Sequence, residues 1–90
     1  MIYRELIDFL ESNGCYPIEE GQYDEGTYYR NCVNSEMCYV EKVKSFSSLA
    51  IVHIVFELKI APPFELEDDY EVYKNNRTKI YKGLIVKSKQ

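Results

Sequence analysis

Ile2, Leu6, Phe9 and Leu10 follow the i, i+4, i+7, i+8 spacing of one helical face, with Arg4, Glu5, Asp8 and Glu11 on the other side. The spacing predicts a helix over 2–12. Gly14 stands where such a helix ends, because glycine takes positive φ without a Cβ clash. Residues 15–18 read as a short extended piece, which Pro17 confines to a sheet edge or a strand end. Residues 19–26 read as a polar loop, four of whose residues (Glu19, Glu20, Asp24 and Glu25) are acidic. Strands are expected at 27–33, with Thr27, Tyr28, Tyr29 and Val33, and at 37–43, with Tyr39, Val40 and Val43. Asn34-Ser35 supplies the turn between them, Asn tolerating positive φ.

Residues 45–60 carry two patterns at once. Ile51, Val52, Ile54 and Val55 are β-branched and suit a strand. Ile51, Ile54, Val55 and Leu58 hold the 3, 4, 7 spacing of a helix, and Ser45, Ser47 or Ser48 is available to cap its start. Sixteen residues is long for a strand and ordinary for a helix, so a helix is expected, ended before Pro62-Pro63. Val52 and Phe56 lie one turn apart, off the main apolar face. A helix apolar on two sides must be covered on both. The expected cover is the segment after Pro63, through Phe64, Tyr70, Val72 or Tyr73. If that segment does not reach, a homodimer built on the same face is expected.

These elements predict an α+β domain, α-β-β-β-α, with about three antiparallel strands packed by two helices over residues 1–62. Residues 63–90 form a C-terminal extension. Within it, 69–74 reads as a short helix, and 79–86 as either a final strand or a tail ordered on binding.

Ninety residues make one small domain, and 46% hydrophobic content argues against intrinsic disorder. The net charge is −4 and the pI near 5.0, which disfavours a general nucleic-acid binder. The acid is concentrated early. Residues 1–40 hold two basic residues, Arg4 and Arg30, against eight acidic ones, whereas 72–90 hold Lys74, Arg77, Lys79, Lys82, Lys87 and Lys89 with no carboxylate. No apolar run approaches the ~18 residues of a membrane helix, and Met1-Ile2-Tyr3-Arg4-Glu5 is too polar to open a signal peptide. A cytoplasmic location and no membrane partner are expected. Three cysteines, Cys15, Cys32 and Cys38, fit buried free thiols in a reducing compartment. Zinc held by these and His53 is not expected, since zinc sites carry ligand pairs two to four residues apart, and here the closest pair has five residues between. The acidic loop lacks the alternation of a Ca²⁺ site. No metal and no cofactor are implied.

The order of elements is similar to the double-stranded-RNA-binding type of fold, and over residues 1–62 the chain resembles the HicA family of small toxin ribonucleases from toxin–antitoxin pairs. Tyr3-Arg4-Glu5-Leu6-Ile7 matches the family's opening helix. Gly26-Thr27-Tyr28 stands where the family has Gly-Ser-His. Ile51, Ile54, Val55, Leu58 and Ile60 match the apolar pattern of its second helix, with Lys59 where the family often has glycine. The resemblance implies this fold and, in the family, RNA cleavage with the histidine as proton carrier. Tyr28 replaces that histidine. Imidazole titrates near working pH, whereas a tyrosine phenol titrates near ~10.

The chain is therefore expected to be a small protein-binding module with a HicA-like fold, without catalysis, from a toxin–antitoxin type of system. Tyr28, Tyr29, Val52 and Phe56 are its expected interaction residues, and a protein partner or a homodimer its expected partner. The first alternative is an active mRNA-cleaving toxin using Tyr28 or His53. The second is an acidic inhibitor from a mobile element, presenting carboxylates in place of phosphates. Nine tyrosines and no tryptophan sharpen the question. Tyr23, Tyr28, Tyr29 and Tyr39 fall in or beside the hairpin. Tyrosines there pair across strands, form protein interfaces or stack on bases.

Overall fold

The computed structural model describes the backbone of residues 1–88 and the side chains of residues 1–77. Its order is α1 (Tyr3–Ser12), β1 (Cys15–Tyr23), β2 (Gly26–Asn31), β3 (Met37–Glu41), α2 (Ser48–Leu58), a 3-10 turn (Phe64–Leu66) and α3 (Glu67–Ser88). The three strands form one antiparallel sheet in the order β1-β2-β3. The α+β class and the order α-β-β-β-α stand as expected, with a third helix added.

Leu6, Ile7 and Leu10 of α1 are buried against Cys15, Tyr29, Cys38 and Val40 of the sheet and Ile51, Ile54, Val55 and Leu58 of α2. Both helices thus cover the same sheet face. Glu5 accepts from the Ile2 N–H at 3.0 Å, satisfying one donor at the start of α1. Past its end, Gly14 sits at φ +81°, the backbone state that glycine is expected to supply. Residues 1–3 run beside 44–46, through Tyr3 N–H to Lys44 C=O and Phe46 N–H to Met1 C=O.

Three expectations need correction. First, β1 does not stop at Ile18. It continues through Glu19 and Glu20 to Tyr23, and residues 19–23 are strand rather than loop. A two-residue turn, Asp24-Glu25, joins it to β2. The polar residues are tolerated because β1 is an edge strand, exposed along most of its length. Its register with β2 shifts between Pro17 and Gln22, where the regular pairing is interrupted. Second, β2 ends at Asn31 and β3 at Glu41, and it is Ser35, not Asn34, that takes positive φ, at 63°. Third, α3 runs as one helix through the stretches read as a short helix and as a strand or tail.

Asn31 explains why β2 ends where it does. It is buried, and its Nδ2 donates to the Leu58 C=O at 2.8 Å while its Oδ1 accepts from the Val33 N–H at 2.9 Å. One amide therefore turns the chain out of β2 and satisfies a carbonyl at the C-terminal end of α2. Lys59 follows in the left-handed conformation (φ 55°), with its ammonium 3.0 Å from Glu36.

α2 is the two-sided helix that the sequence implies. Ser47 caps it, its hydroxyl accepting from the Ala50 N–H at 3.2 Å. Val52 is 1% exposed on the side toward α3. Phe56 meets the rings of Tyr70 and Tyr73 at 6.4 and 5.6 Å, so the segment after Pro63 does fold across this face. Phe64 and Val72 do not complete the cover. Both are exposed, at 82% and 59%.

Candidate functional site

Successive residues of a strand point to opposite faces, so the register fixes which side chains share the sheet face that no helix covers. Tyr16, Arg30 and Met37 form one row across the three strands. Tyr28 and Tyr39 are direct partners in the next, and Tyr23, Gly26 and Glu41 form the third. Tyr16, Tyr23, Tyr28 and Met37 are all exposed. Two glycines leave room for these side chains. A Cβ on Gly21 would stand 2.9 Å from the Tyr28 Cβ, and one on Gly26 would stand 2.6 Å from the Tyr39 ring and from the Val40 carbonyl. The Tyr28 ring is then 5.1 Å from that of Tyr39 and 6.4 Å, edge-on, from that of Tyr23. Arg30 lies over the first row, its guanidinium 3.9 Å from the Met37 sulfur.

Carboxylates border this tyrosine cluster. Partial burial raises the Tyr39 phenol above its ordinary value, and the nearby Glu25 and Glu41, then Tyr28 and Tyr23, raise it further. Residues 15–41 as a whole hold six acidic side chains and one basic one, Arg30.

The other candidates lie elsewhere. Tyr29 points inward and is 4% exposed; burial, the neighbouring Tyr3 and Glu11, and a hydrogen bond with Tyr3 push its phenol up to about 12. Its contacts are with the core, not with the open sheet face. Val52 and Phe56 are likewise engaged with α3. His53 is exposed on α2, its Nδ1 2.7 Å from the Tyr73 hydroxyl. Arg77 donates to the same hydroxyl at 3.1 Å, pairs with Glu57 at 3.0 Å and lies 5.0 Å above the Phe56 ring. Arg77 can only donate, so the chain Arg77 to Tyr73 to His53 is satisfied when Nδ1 accepts. Tyr28 and His53 are not brought together: one lies on the open sheet face, the other on a helix that packs on the opposite face.

Between α2 and α3 lies a groove of about 570 Å³, lined by Leu49, Val52, Val72, Tyr73 and Arg77 among others. The cysteines do not converge with other ligands: among the described residues no three His, Cys, Asp or Glu side chains are grouped to hold a metal. Cys15 and Cys38 are buried and Cys32 is exposed. Burial, then Cys32, raises the Cys15 thiol, and burial, then Glu57, pushes Cys38 up to about 11.

Sequence reasoning missed Asn31, Arg77 and the membership of Tyr16 in the open face. Tyr16 was legible in principle, because Pro17 already placed its segment at an edge. Asn31 and Arg77 act through partners 27 and 20 residues away in sequence, which no local pattern reveals.

The fold and this face define a small α+β domain with one covered and one open sheet face. Comparison with protein-family models, with curated proteins and with solved structures returns no match. Among the described residues no helix is long and apolar enough to cross a membrane.

Proposed function

We propose that this chain is a non-catalytic protein-binding module with a HicA-like fold, of the toxin–antitoxin type, and that it binds its partner through the open sheet face. The observation that carries the reading is the cluster of exposed Tyr16, Tyr23, Tyr28 and Met37, with the half-buried Tyr39 among them, on that face. Tyrosine and methionine are enriched at interfaces. An antiparallel sheet usually turns polar residues toward water. Here the solvent side is aromatic instead. The HicA-like part of the reading is supported by the element order and by Lys59, which takes the left-handed conformation at the position where that family often carries glycine.

The test is affinity capture from the native host with the wild type and with Tyr16→Ser/Tyr28→Ser. These positions are exposed, so the variant keeps its fold, which far-UV dichroism and melting will verify. The expected result is a protein held by the wild type and lost by the variant. Retention of every captured protein by the folded variant refutes the assignment of the face. Cleavage of RNA by the wild type, abolished in Tyr28→Phe or His53→Ala, refutes the non-catalytic reading and establishes the toxin.

A further inference from the structure

Building on the proposed binding role of the open sheet face, we infer that Tyr23, Tyr28 and Tyr39, with Glu25 and Glu41, form a receptor for a cationic side chain, and that the occupant is an arginine-bearing segment of a partner protein. Three phenol rings lie within 5.1–6.4 Å of their neighbours at 57° and 72°, so both ring faces and ring edges are presented together. An aromatic face attracts a cation through its quadrupole. Glu41 stands in the same row as Tyr23 and Gly26, Glu25 lies in the adjoining turn, and both act on the Tyr39 ring, so they supply the countercharge; a carboxylate binds a guanidinium through paired hydrogen bonds. The planar guanidinium also stacks on aromatic rings, which an ammonium does less well.

The molecule already uses this recognition once, internally. Arg77 lies 5.0 Å over Phe56 and 6.0 Å from the Tyr73 ring centre, with the Glu57 carboxylate 3.0 Å away. The sheet offers the aromatic and acidic parts of that arrangement without the arginine. Arg30 does not fill it, for it belongs to the neighbouring row and rests on Met37. The net charge around it agrees in sign, with six acidic residues against three basic ones, Arg30, Lys42 and Lys44, over 15–44. The same charge repels RNA, for which tyrosine rings would otherwise be a stacking platform.

The probe is an acetylated, amidated peptide of four Arg-Gly-Ser repeats, compared with its citrulline and lysine counterparts and with a single-stranded RNA oligonucleotide. Binding is followed by amide chemical-shift mapping at low ionic strength. The arginine peptide is expected to shift residues of 23–28 and 37–41. The citrulline peptide is expected to bind about tenfold more weakly or worse, the lysine peptide to fall between, and added salt to weaken both charged peptides. Glu25→Gln/Glu41→Gln should cost about tenfold in Kd. Tyr28→Leu should weaken binding while Tyr28→Phe, which keeps the ring, should not. Equal binding of the citrulline peptide, shifts that map to another surface, or preferential binding of the RNA would each overturn the inference. Loss of the arginine preference, with capture still sensitive to Tyr16→Ser/Tyr28→Ser, overturns the arginine receptor and leaves the protein-binding face standing with a different partner chemistry.

Discussion

Replacing Asn31 with aspartate exchanges one NH2 group for an oxygen and leaves the shape nearly intact, so the result isolates what the amide does. In the native chain Nδ2 donates to the Leu58 carbonyl at 2.8 Å, and Asn34 adds only a longer contact to the same oxygen, at 3.4 Å. The ionised carboxylate of the variant places an acceptor against that acceptor. The Leu58 carbonyl loses its short hydrogen bond inside the core, worth about 1–3 kcal/mol as an unsatisfied buried group. Burial and the facing carbonyl also destabilise the carboxylate, so the introduced group should take up a proton more readily in the folded chain than in the unfolded one. Its folded pKa is therefore raised. The sign follows: below the unfolded value of ~3.9 both states are protonated and the penalty is small, and it grows as pH rises to the folded value, then levels. A hundredfold tighter hold on the proton corresponds to ~2.7 kcal/mol. We expect Asn31→Asp to lose about 3 kcal/mol relative to wild type at pH 7, out of the ~5–10 typical of a domain. Most of that loss should disappear at pH 4.5, where the protonated carboxyl donates to Leu58. Asn31→Leu serves as the control, with a penalty of about 2–3 kcal/mol that does not change between the two pH values. Urea unfolding of the three proteins at both pH values measures this. A loss under ~1 kcal/mol at pH 7, or equal losses at both pH values, would refute the structural role given to Asn31.

Leu6→Ala removes a fully buried side chain from the centre of the core and should cost about 2–4 kcal/mol, read as a fall in the denaturation midpoint with an unchanged slope. Alkylation by iodoacetamide under native conditions should modify Cys32 and spare Cys15 and Cys38, which are buried with raised thiol pKa values. Full reaction of all three at equal rates in folded protein would contradict their placement.

The first helix and the double role of α2 were legible because their signal is periodic, and a helix displays its period within its own residues. Ile51, Ile54, Val55 and Leu58 name one buried face, and Val52 and Phe56 name another, before any partner is known. The length of β1 was not legible. Glu19, Glu20 and Gln22 look like loop because strand propensity reflects burial, and an edge strand exposed along its length needs little of it. The open face was half visible. Four tyrosines near the hairpin could be counted, but which of them share a side depends on the register between Tyr28 and Tyr39 and on the shift in β1, and neither is encoded locally. Tyr29, one residue from Tyr28, ended in the core for that reason. A strand's alternation separates neighbours as strictly as it unites residues two apart.

The joint between α2 and α3 divides the domain into two layers, α3 in one and the sheet with α1 and α2 in the other. Among the described residues α3 gains its principal contacts from α2 and the short turn before it, and none of comparable extent from the sheet. An element held mainly through one neighbour is expected to open as a unit while the strands and α1 stay paired, and amide hydrogen exchange would show this as α3 exchanging at a lower cost than the sheet. Each such opening uncovers Phe56 and frees Arg77 from Glu57 and Tyr73, while Ile51, Ile54, Val55 and Leu58 remain against the sheet. With that opening the protein would hold in reserve a second aromatic surface, on the opposite side from the tyrosine face, at a free-energy cost set by the docking of a single helix.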